Sequence, residues 1–185
     1  MWIYIIIAII VLILIYFGVT YNSFVKLSNT VKEAFSTMDV YLKKRWDLIP
    51  NIVETVKGYA KHEKSTLKEI IELRNSTYDN MSANEKVDVN NKLSQGINKL
   101  MAIAEAYPDL KANENFMQLS EELRNTENKI SFSRQFYNDS VTIYNTKLQV
   151  FPSNIVAGFG NFEPRDLFKA ESEEARKNVK VDFNK

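Results

Sequence analysis

The chain has 185 residues, of which 45% are hydrophobic and 25% charged, which suits one globular domain and a short additional segment. Its 24 Lys and Arg residues nearly balance 23 Asp and Glu residues, and the net charge of +1 argues against a nucleic-acid-binding domain. The absence of cysteine excludes disulfides, thiolate zinc sites and thiol nucleophiles.

Residues 2–19 form an apolar run without a single charge. As a helix at ~1.5 Å per residue this run would be about 27 Å long, close to the ~30 Å hydrocarbon core of a bilayer. A cleaved signal peptide is the alternative, but the run lacks a preceding basic region and a small-x-small cleavage site. The pattern therefore predicts an uncleaved, single-pass transmembrane anchor over residues 1–19.

The charges around this run predict its orientation. No Lys or Arg precedes it, whereas Lys26 and Lys32 follow within about 15 residues, the window over which basic residues set membrane topology. The positive-inside rule then predicts a cell-membrane protein with a very short N-terminus outside and its C-terminal part in the cytoplasm.

After the anchor, apolar residues recur every three or four positions, which is typical of amphipathic helices. Four such stretches predict helices at about residues 20–46, 48–75, 83–107 and 113–149, forming an antiparallel four-helix bundle over residues 20–150. Asp47 lies three residues before Pro50, which places the proline in the first turn of the second helix. The alternative is a single kinked helix running through Pro50, which would leave three helices, one of them very long.

Turn and capping residues separate these elements. Ser82 and Glu85 fit a capping box that opens the third helix, and Tyr107-Pro108 closes it. The remaining tail, residues 151–185, is predicted to be partly packed on the bundle or disordered, or to dock onto a partner. It contains five phenylalanines, which are unusual in disordered segments: Phe151, Phe159, Phe162, Phe168 and Phe183.

Known catalytic patterns are missing. A carboxylate-bridged di-metal site and a helical zinc site both need two histidines at fixed spacing, and His62 is the only one. A Ser-His-Asp arrangement is compatible with the composition, but His62 lies in a charged stretch and is expected to be an exposed helix residue. The sequence thus predicts no catalytic residue, no metal site and no cofactor.

Polar residues recur at helical spacing inside two of the predicted helices. The polar residues on the fourth helix are Glu127, Arg134, Asn138 and Asn145. Those on the second helix are Asn51, Glu54, Lys57 or Gly58, and Lys61. Three further charged residues lie near the start of the second helix: Lys44, Arg45 and Asp47. One interpretation is a solvated face. The other is that Glu127 and Arg134 pair across helices with Arg45 and Asp47, which would fix the pairing of helices more than it adds stability.

Residues 44–63 read Lys-Arg-Trp-Asp-Leu-Ile-Pro-Asn-Ile-Val-Glu-Thr-Val-Lys-Gly-Tyr-Ala-Lys-His-Glu, and they closely resemble the signature of the LemA family. Further similarity lies at residues 104–112, 116–123, 126–145, 151–154 and 159–160, so the resemblance covers nearly the whole chain. Two departures are Ser133, where the family usually has alanine, and Asn161, where an aromatic residue often follows Phe-Gly.

The resemblance implies a bacterial, all-α, membrane-anchored protein. Its expected architecture is an N-terminal transmembrane helix followed by an antiparallel four-helix bundle, a LemA-like and bromodomain-like up-and-down variant, with a short external N-terminus. The family has no agreed biochemical activity, although one branch is associated with magnetosome membrane formation. Seven positions that match the family are candidates for a helix-registering network or a binding face: Asp47, Asn51, Lys57, Glu127, Arg134, Tyr137 and Asn138.

Together these features favour a non-enzymatic scaffold or interaction module at the bacterial cytoplasmic membrane, with an unknown protein partner and the bilayer as its lipid partner. The Phe-containing tail is one expected docking segment. Two other classes remain open: a self-associating, homo-oligomeric protein that organises the membrane, and an uncharacterised hydrolase that uses His62.

Overall fold

The computed structural model describes residues 1–74 and 78–168, and no strand occurs within these two ranges. Its helices are α1 (Trp2–Tyr59), α2 (Lys64–Glu72), α3 (Ala83–Ala106), α4 (Pro108–Lys111), α5 (Glu114–Gln149) and α6 (Ser153–Phe159), with a 3-10 turn at Tyr78–Asn80. The all-α prediction is confirmed. The predicted end of the second helix at Asn75, and the tail from residue 169 onward, lie outside the described residues.

The expected break between the first two bundle helices is wrong, because α1 continues from the apolar run through Pro50 to Tyr59. A proline inside a helix removes one hydrogen bond and costs about 3 kcal/mol. The residues around it offset this cost, since Ile49, Ile52 and Val53 are all at most 1% exposed. Burial of each such side chain contributes about 1.5–3 kcal/mol. The alternative is thus confirmed in that the helix continues through Pro50, but this helix ends at Tyr59 and α2 is separate from it.

The predicted second helix, residues 48–75, is also wrong as one element, because residues 60–63 form a turn between α1 and α2. The predicted boundaries of the third and fourth helices agree with α3 and α5. Ser82 and Glu85 form the expected capping box, in which the Ser82 N–H and hydroxyl donate to Glu85 Oε2 at 2.8 and 2.7 Å. Both hydrogen bonds lower the pKa of Glu85 below its ordinary value, and the one from the Ser82 side chain has the larger effect. At the other end of α3, Tyr107 is extended before Pro108, as expected for a residue that precedes proline.

The chain divides into two compact units. The first contains Met1–Arg45 and Arg124–Leu167, so it is built from the N-terminal part of α1, most of α5, α6 and the segment after α6. Its apolar core includes a cluster of six residues: Phe24, Val31, Val141, Tyr144, Val156 and Ala157. Through Val156 and Ala157, the first part of the tail packs against α1 and α5.

The second unit contains Trp46–Leu123. Its core includes α2 and α3, which approach closely where a Cβ on Gly96 would lie 3.0 Å from Ile70 Cγ1. Trp46 and Tyr78 are both buried and their rings are 5.3 Å apart. The Arg74 guanidinium carbon lies 5.2 Å from the Trp46 ring centroid, so a cation covers the indole. Whether the helices form the predicted antiparallel four-helix arrangement stays a prediction.

Candidate functional site

An ion pair in the first unit joins α1 to α5. Arg45 Nη1 donates to both carboxylate oxygens of Glu127, at 2.8 and 3.0 Å. The Arg45 side chain is 2% exposed and the Glu127 side chain 33% exposed. Arginine suits this position because its methylene stem packs among apolar side chains while its guanidinium supplies several donors in one plane. The predicted pairing of Arg45 with Glu127 is thus present.

Such a pair sets which residues of two helices lie opposite each other. Its net contribution to stability is small, because desolvation of the charges offsets their attraction, but a shifted register would leave a buried charge without its partner. The arrangement therefore specifies how α1 and α5 align within the first unit. The second predicted pair, between Arg134 and Asp47, stays a prediction.

The polar line expected on the second bundle helix lies on the C-terminal part of α1. Asp47, Asn51 and Lys57 are exposed, and Lys57 Nζ lies 3.1 Å from Glu54 Oε1 with side-chain exposures of 62% and 66%. Exposed pairs three residues apart contribute only tenths of a kcal/mol. These positions form a solvated face of the helix.

Polar residues at the C-terminal end of α5 hold the segment that follows α6. The Asn145 side-chain amide donates to the Arg165 carbonyl at 2.8 Å, and its oxygen accepts from the Arg165 N–H at 2.9 Å. The Tyr137 hydroxyl donates to the Asp166 carbonyl at 3.0 Å. Asn145 thus pairs with both the N–H and the carbonyl of one residue, much as a neighbouring strand would, and fixes this segment against α5.

Burial raises the pKa of the Tyr137 hydroxyl, and the nearby Asp166 carboxylate raises this pKa further. Burial also raises the pKa of Tyr144. Both hydroxyls therefore stay protonated, and Tyr137 remains a hydrogen-bond donor, over the physiological pH range. The helical spacing placed Asn138 and Asn145 on one face of the helix, but gave no sign that Asn145 would bind the tail.

Aromatic rings fix the tail against α1. Phe162 stacks on Phe24 with ring centroids 4.9 Å apart and packs against Tyr21 at 5.4 Å. The chain reaches this position through a tight turn, in which Asn161 has a left-handed φ of 51° and a Cβ on Gly160 would lie 2.5 Å from the Phe162 ring. Asparagine tolerates this conformation better than an aromatic residue does, which gives a local reason for the departure from the family pattern at Asn161.

An apolar stripe is exposed on α5 within the first unit. Phe132, Phe136 and Ile143 are 75%, 55% and 58% exposed. Their spacing of four and seven residues places them within about 40° of one another around the helix. Large aromatic side chains exposed together on a protein surface are typical of interaction sites. The sequence shows this spacing of apolar residues by four and seven positions, but it does not show that these three side chains are exposed.

His62, the residue considered for a hydrolase, lies between two helices. This side chain is exposed in the turn that separates α1 from α2, and not on a helix as expected. Within residues 1–74 and 78–168, no group of three His, Asp or Glu side chains could hold a metal ion.

The N-terminal part of α1 carries its apolar side chains outward. Ile5, Leu12 and Leu14, for example, are 52%, 65% and 65% exposed. In the described part of the chain, α1 alone is long and apolar enough to cross a membrane. A helix that is apolar on all sides and not covered by protein is typical of a membrane-spanning segment.

Comparison with known proteins places these features in a family. The chain is 25% identical over 164 residues to Protein LemA of Metamycoplasma hominis, an alignment that covers 88% of this chain and 73% of that protein. It is 22% identical over 178 residues to Magnetosome protein MamQ 1 and to Magnetosome protein MamQ 2 of Paramagnetospirillum magneticum, covering 80% of this chain and 64% of each relative. The model of the LemA family matches residues 34–183, so the chain belongs to the LemA family.

Proposed function

We propose that this protein is a non-enzymatic scaffold, anchored in the bacterial cytoplasmic membrane, that binds a protein partner through the exposed apolar stripe on α5. The apolar N-terminal part of α1 supports the anchor. Lys26 and Lys32, which follow the apolar run, favour an external N-terminus and a cytoplasmic C-terminal part. The exposed position of His62, in a turn and not in an enclosed site, supports the non-enzymatic part.

The stripe is the observation that carries the binding function. Phe132 and Phe136 leave most of their rings in water, at 75% and 55% exposure, although burial of such a side chain would stabilise a complex by about 1.5–3 kcal/mol. An apolar helix face with anchors four and seven residues apart suits a groove or a helix on the partner. Attachment to the membrane raises the local concentration of both proteins, so a modest affinity suffices.

The stripe replaces the Phe-containing tail as the docking surface of this proposal. Phe162 already packs on Phe24 and Tyr21, and the residues that follow it are held by Asn145 and Tyr137. A partner that used the Phe162 ring would first have to detach this segment. No such cost applies to the stripe on α5, because its side chains are already exposed.

Site-specific photocrosslinking in living cells tests this function. A benzophenone side chain is placed at Phe132 or Phe136, and at Met117 as the control, since Met117 is a 50% exposed apolar residue on the same helix. With the label at position 132 or 136, we expect one discrete crosslinked product that contains a second protein. The label at position 117 should give no such product. The product should also be lost when the stripe phenylalanine that does not carry the label is changed to serine. A product that contains two copies of this chain would refute the proposal in favour of self-association. No product at 132 and 136 would also overturn it.

A further inference from the structure

A second apolar patch lies where α5 ends and α6 begins. Val150, Phe151, Ile155 and Phe159 are 49%, 79%, 52% and 76% exposed, and we refer to them as the α6 patch. The opposite side of this short helix is covered, because Val156 and Ala157 are 2% and 4% exposed and belong to the core of the first unit. α6 therefore carries apolar side chains both on the side that is buried in the core and on the side that is exposed.

The α6 patch lies beside the end of the apolar run of α1. The ring of Phe159 contacts that of Phe17 edge to face, with the centroids 6.0 Å apart. Phe17 lies two residues before the end of the apolar run at Val19, which corresponds to about 3 Å along a helix axis. The headgroup region of a bilayer extends about 5–8 Å beyond the hydrocarbon on each side. If residues 2–19 span the bilayer, Phe159 therefore lies at the depth of the hydrocarbon edge or the headgroups.

Neighbouring side chains suit the same depth. Tyr21, whose ring packs against Phe162, follows the apolar run by two residues, and amphipathic aromatic rings favour the headgroup level. Lys147 donates to Ser23 and its Nζ lies 5.5 Å from the centroid of the Phe24 ring, which places a positive charge just beyond the patch. Cations at this level are attracted to anionic lipid headgroups.

We propose that the α6 patch is a second membrane contact, in which α6 lies in the bilayer interface and Ile155 and Phe159 insert between lipid chains. The inference rests on the proposed anchor, because the depth of Phe159 is set by its contact with Phe17. Lipid is chosen as the occupant because the patch is continuous with the surface that the apolar run presents to the bilayer. Interfacial helices typically place an apolar face about 5–10 Å into the headgroup and acyl boundary.

The contact would fix the rotation of the first unit at the membrane. A single spanning helix leaves a protein free to rotate about that helix, whereas a second contact to one side of it holds one side against the bilayer. Along the axis of α5, Ile143 lies seven and Phe132 18 residues before Val150, so the stripe would extend from about 10 to about 27 Å from the patch, at ~1.5 Å per residue. The second contact would thus hold the stripe above the membrane surface in a constant direction.

Depth measurements on nitroxide-labelled protein test the inference. The 185-residue chain has no cysteine, so a single cysteine can be introduced at each site without other changes. The labelled sites are Ile155 and Phe159 in the patch, Ile10 in the apolar run and Phe132 on α5. Phe132 is a matched control for Phe159, because the two are 75% and 76% exposed. The proteins are reconstituted in vesicles of phosphatidylethanolamine and phosphatidylglycerol, and collisions of the label with oxygen and with a water-soluble nickel chelate are compared.

The expected result is a ratio of oxygen to nickel collisions that is several-fold higher at 155 and 159 than at 132, and highest at 10. The second contact would be refuted if the collision ratios at 155 and 159 both equalled the ratio at 132. The anchor would still stand in that case, provided that the label at 10 remains in the bilayer. A label at 10 that is accessible to nickel would instead refute the anchor. Spin–spin broadening between copies at 155 and 159 would also overturn the inference, because it would show that a second copy covers the patch.

Discussion

Replacing Arg45 by alanine removes the buried cation that pairs with Glu127, and we expect this to lower the free energy of unfolding by about 3–5 kcal/mol. The change removes about two buried methylenes beyond Cβ, which corresponds to about 1.6 kcal/mol at ~0.8 kcal/mol each. Loss of a charged hydrogen bond costs a further ~1.5–3 kcal/mol. Glu127, which is 33% exposed, then regains part of its hydration, so the sum lies near the range typical of a broken buried pair.

The assay is urea unfolding of the full-length protein in a mild non-ionic detergent, followed by circular dichroism at the helical minimum. Lys57→Ala is the matched control, since Lys57 lies on the same helix and also pairs with a glutamate, but the side chains of that pair are 62% and 66% exposed. The control should lose at most about 1 kcal/mol. Equal losses for Arg45→Ala and Lys57→Ala would refute the buried character of the first pair.

A double variant separates the charge from the packing. Arg45→Met with Glu127→Met replaces the pair by apolar side chains, a change that is often neutral or stabilising at buried ion pairs. We therefore expect the double variant to be more stable than Arg45→Ala. If it is no more stable, loss of the charge pair does not explain the effect of the single substitution.

Three further predictions concern the tail and its attachment to α5. Asn145→Ala should speed tryptic cleavage after Arg165 in the folded protein, because two hydrogen bonds worth about 0.5–1.5 kcal/mol each are lost. Gly160→Ala should detach the same segment, since its Cβ would lie 2.5 Å from the Phe162 ring, and should also speed this cleavage. Because the pKa of Tyr137 is raised on folding, the folded state holds its proton to higher pH than the unfolded state does. The contribution of Tyr137 to stability should therefore be constant below the ordinary tyrosine pKa of 10.0 and be lost as the pH rises through the raised pKa, as measured by urea unfolding.

Matched variants control these three experiments. Thr142→Ala removes a hydroxyl on α5 that bonds only within its own helix, and cleavage after Arg165 should not change. Gly158→Ala adds a Cβ that meets no atom within 4 Å, so it should leave the tail in place. Tyr137→Phe should reduce the loss of stability at alkaline pH. An unchanged alkaline profile in Tyr137→Phe, or equal cleavage in the Gly158 and Gly160 variants, would contradict the account of the tail.

The sequence was most informative where a local rule decides the structure. The capping box at Ser82 and Glu85 and the extended residue before Pro108 depend on a few adjacent residues, and both are present. Pro50 is different, because burial of the side chains around it outweighs the local preference against an internal proline. Helical spacing does not reveal how deeply Ile49 or Val53 is buried.

The same distinction applies to the candidate site. Helical spacing placed Glu127 on the same face as other polar residues, and the surplus of charge in an apolar stretch indicated its pairing with Arg45. It could not show that Asn145 binds the backbone of Arg165, because a backbone partner leaves no pattern in the sequence. The sequence also could not show which apolar residues stay exposed. Phe132 and Ile130 are both apolar, but Ile130 is buried and Phe132 faces the surface.

The central claim is that residues 2–19 remain in the bilayer and hold the helical units beside it. The most direct test is the intact mass of the protein that stays in the membrane pellet after extraction with alkaline carbonate. The account predicts the uncut expressed chain in the pellet, at 21.4 kDa for these 185 residues. A shorter chain that lacks the apolar run and is recovered in the supernatant would contradict it.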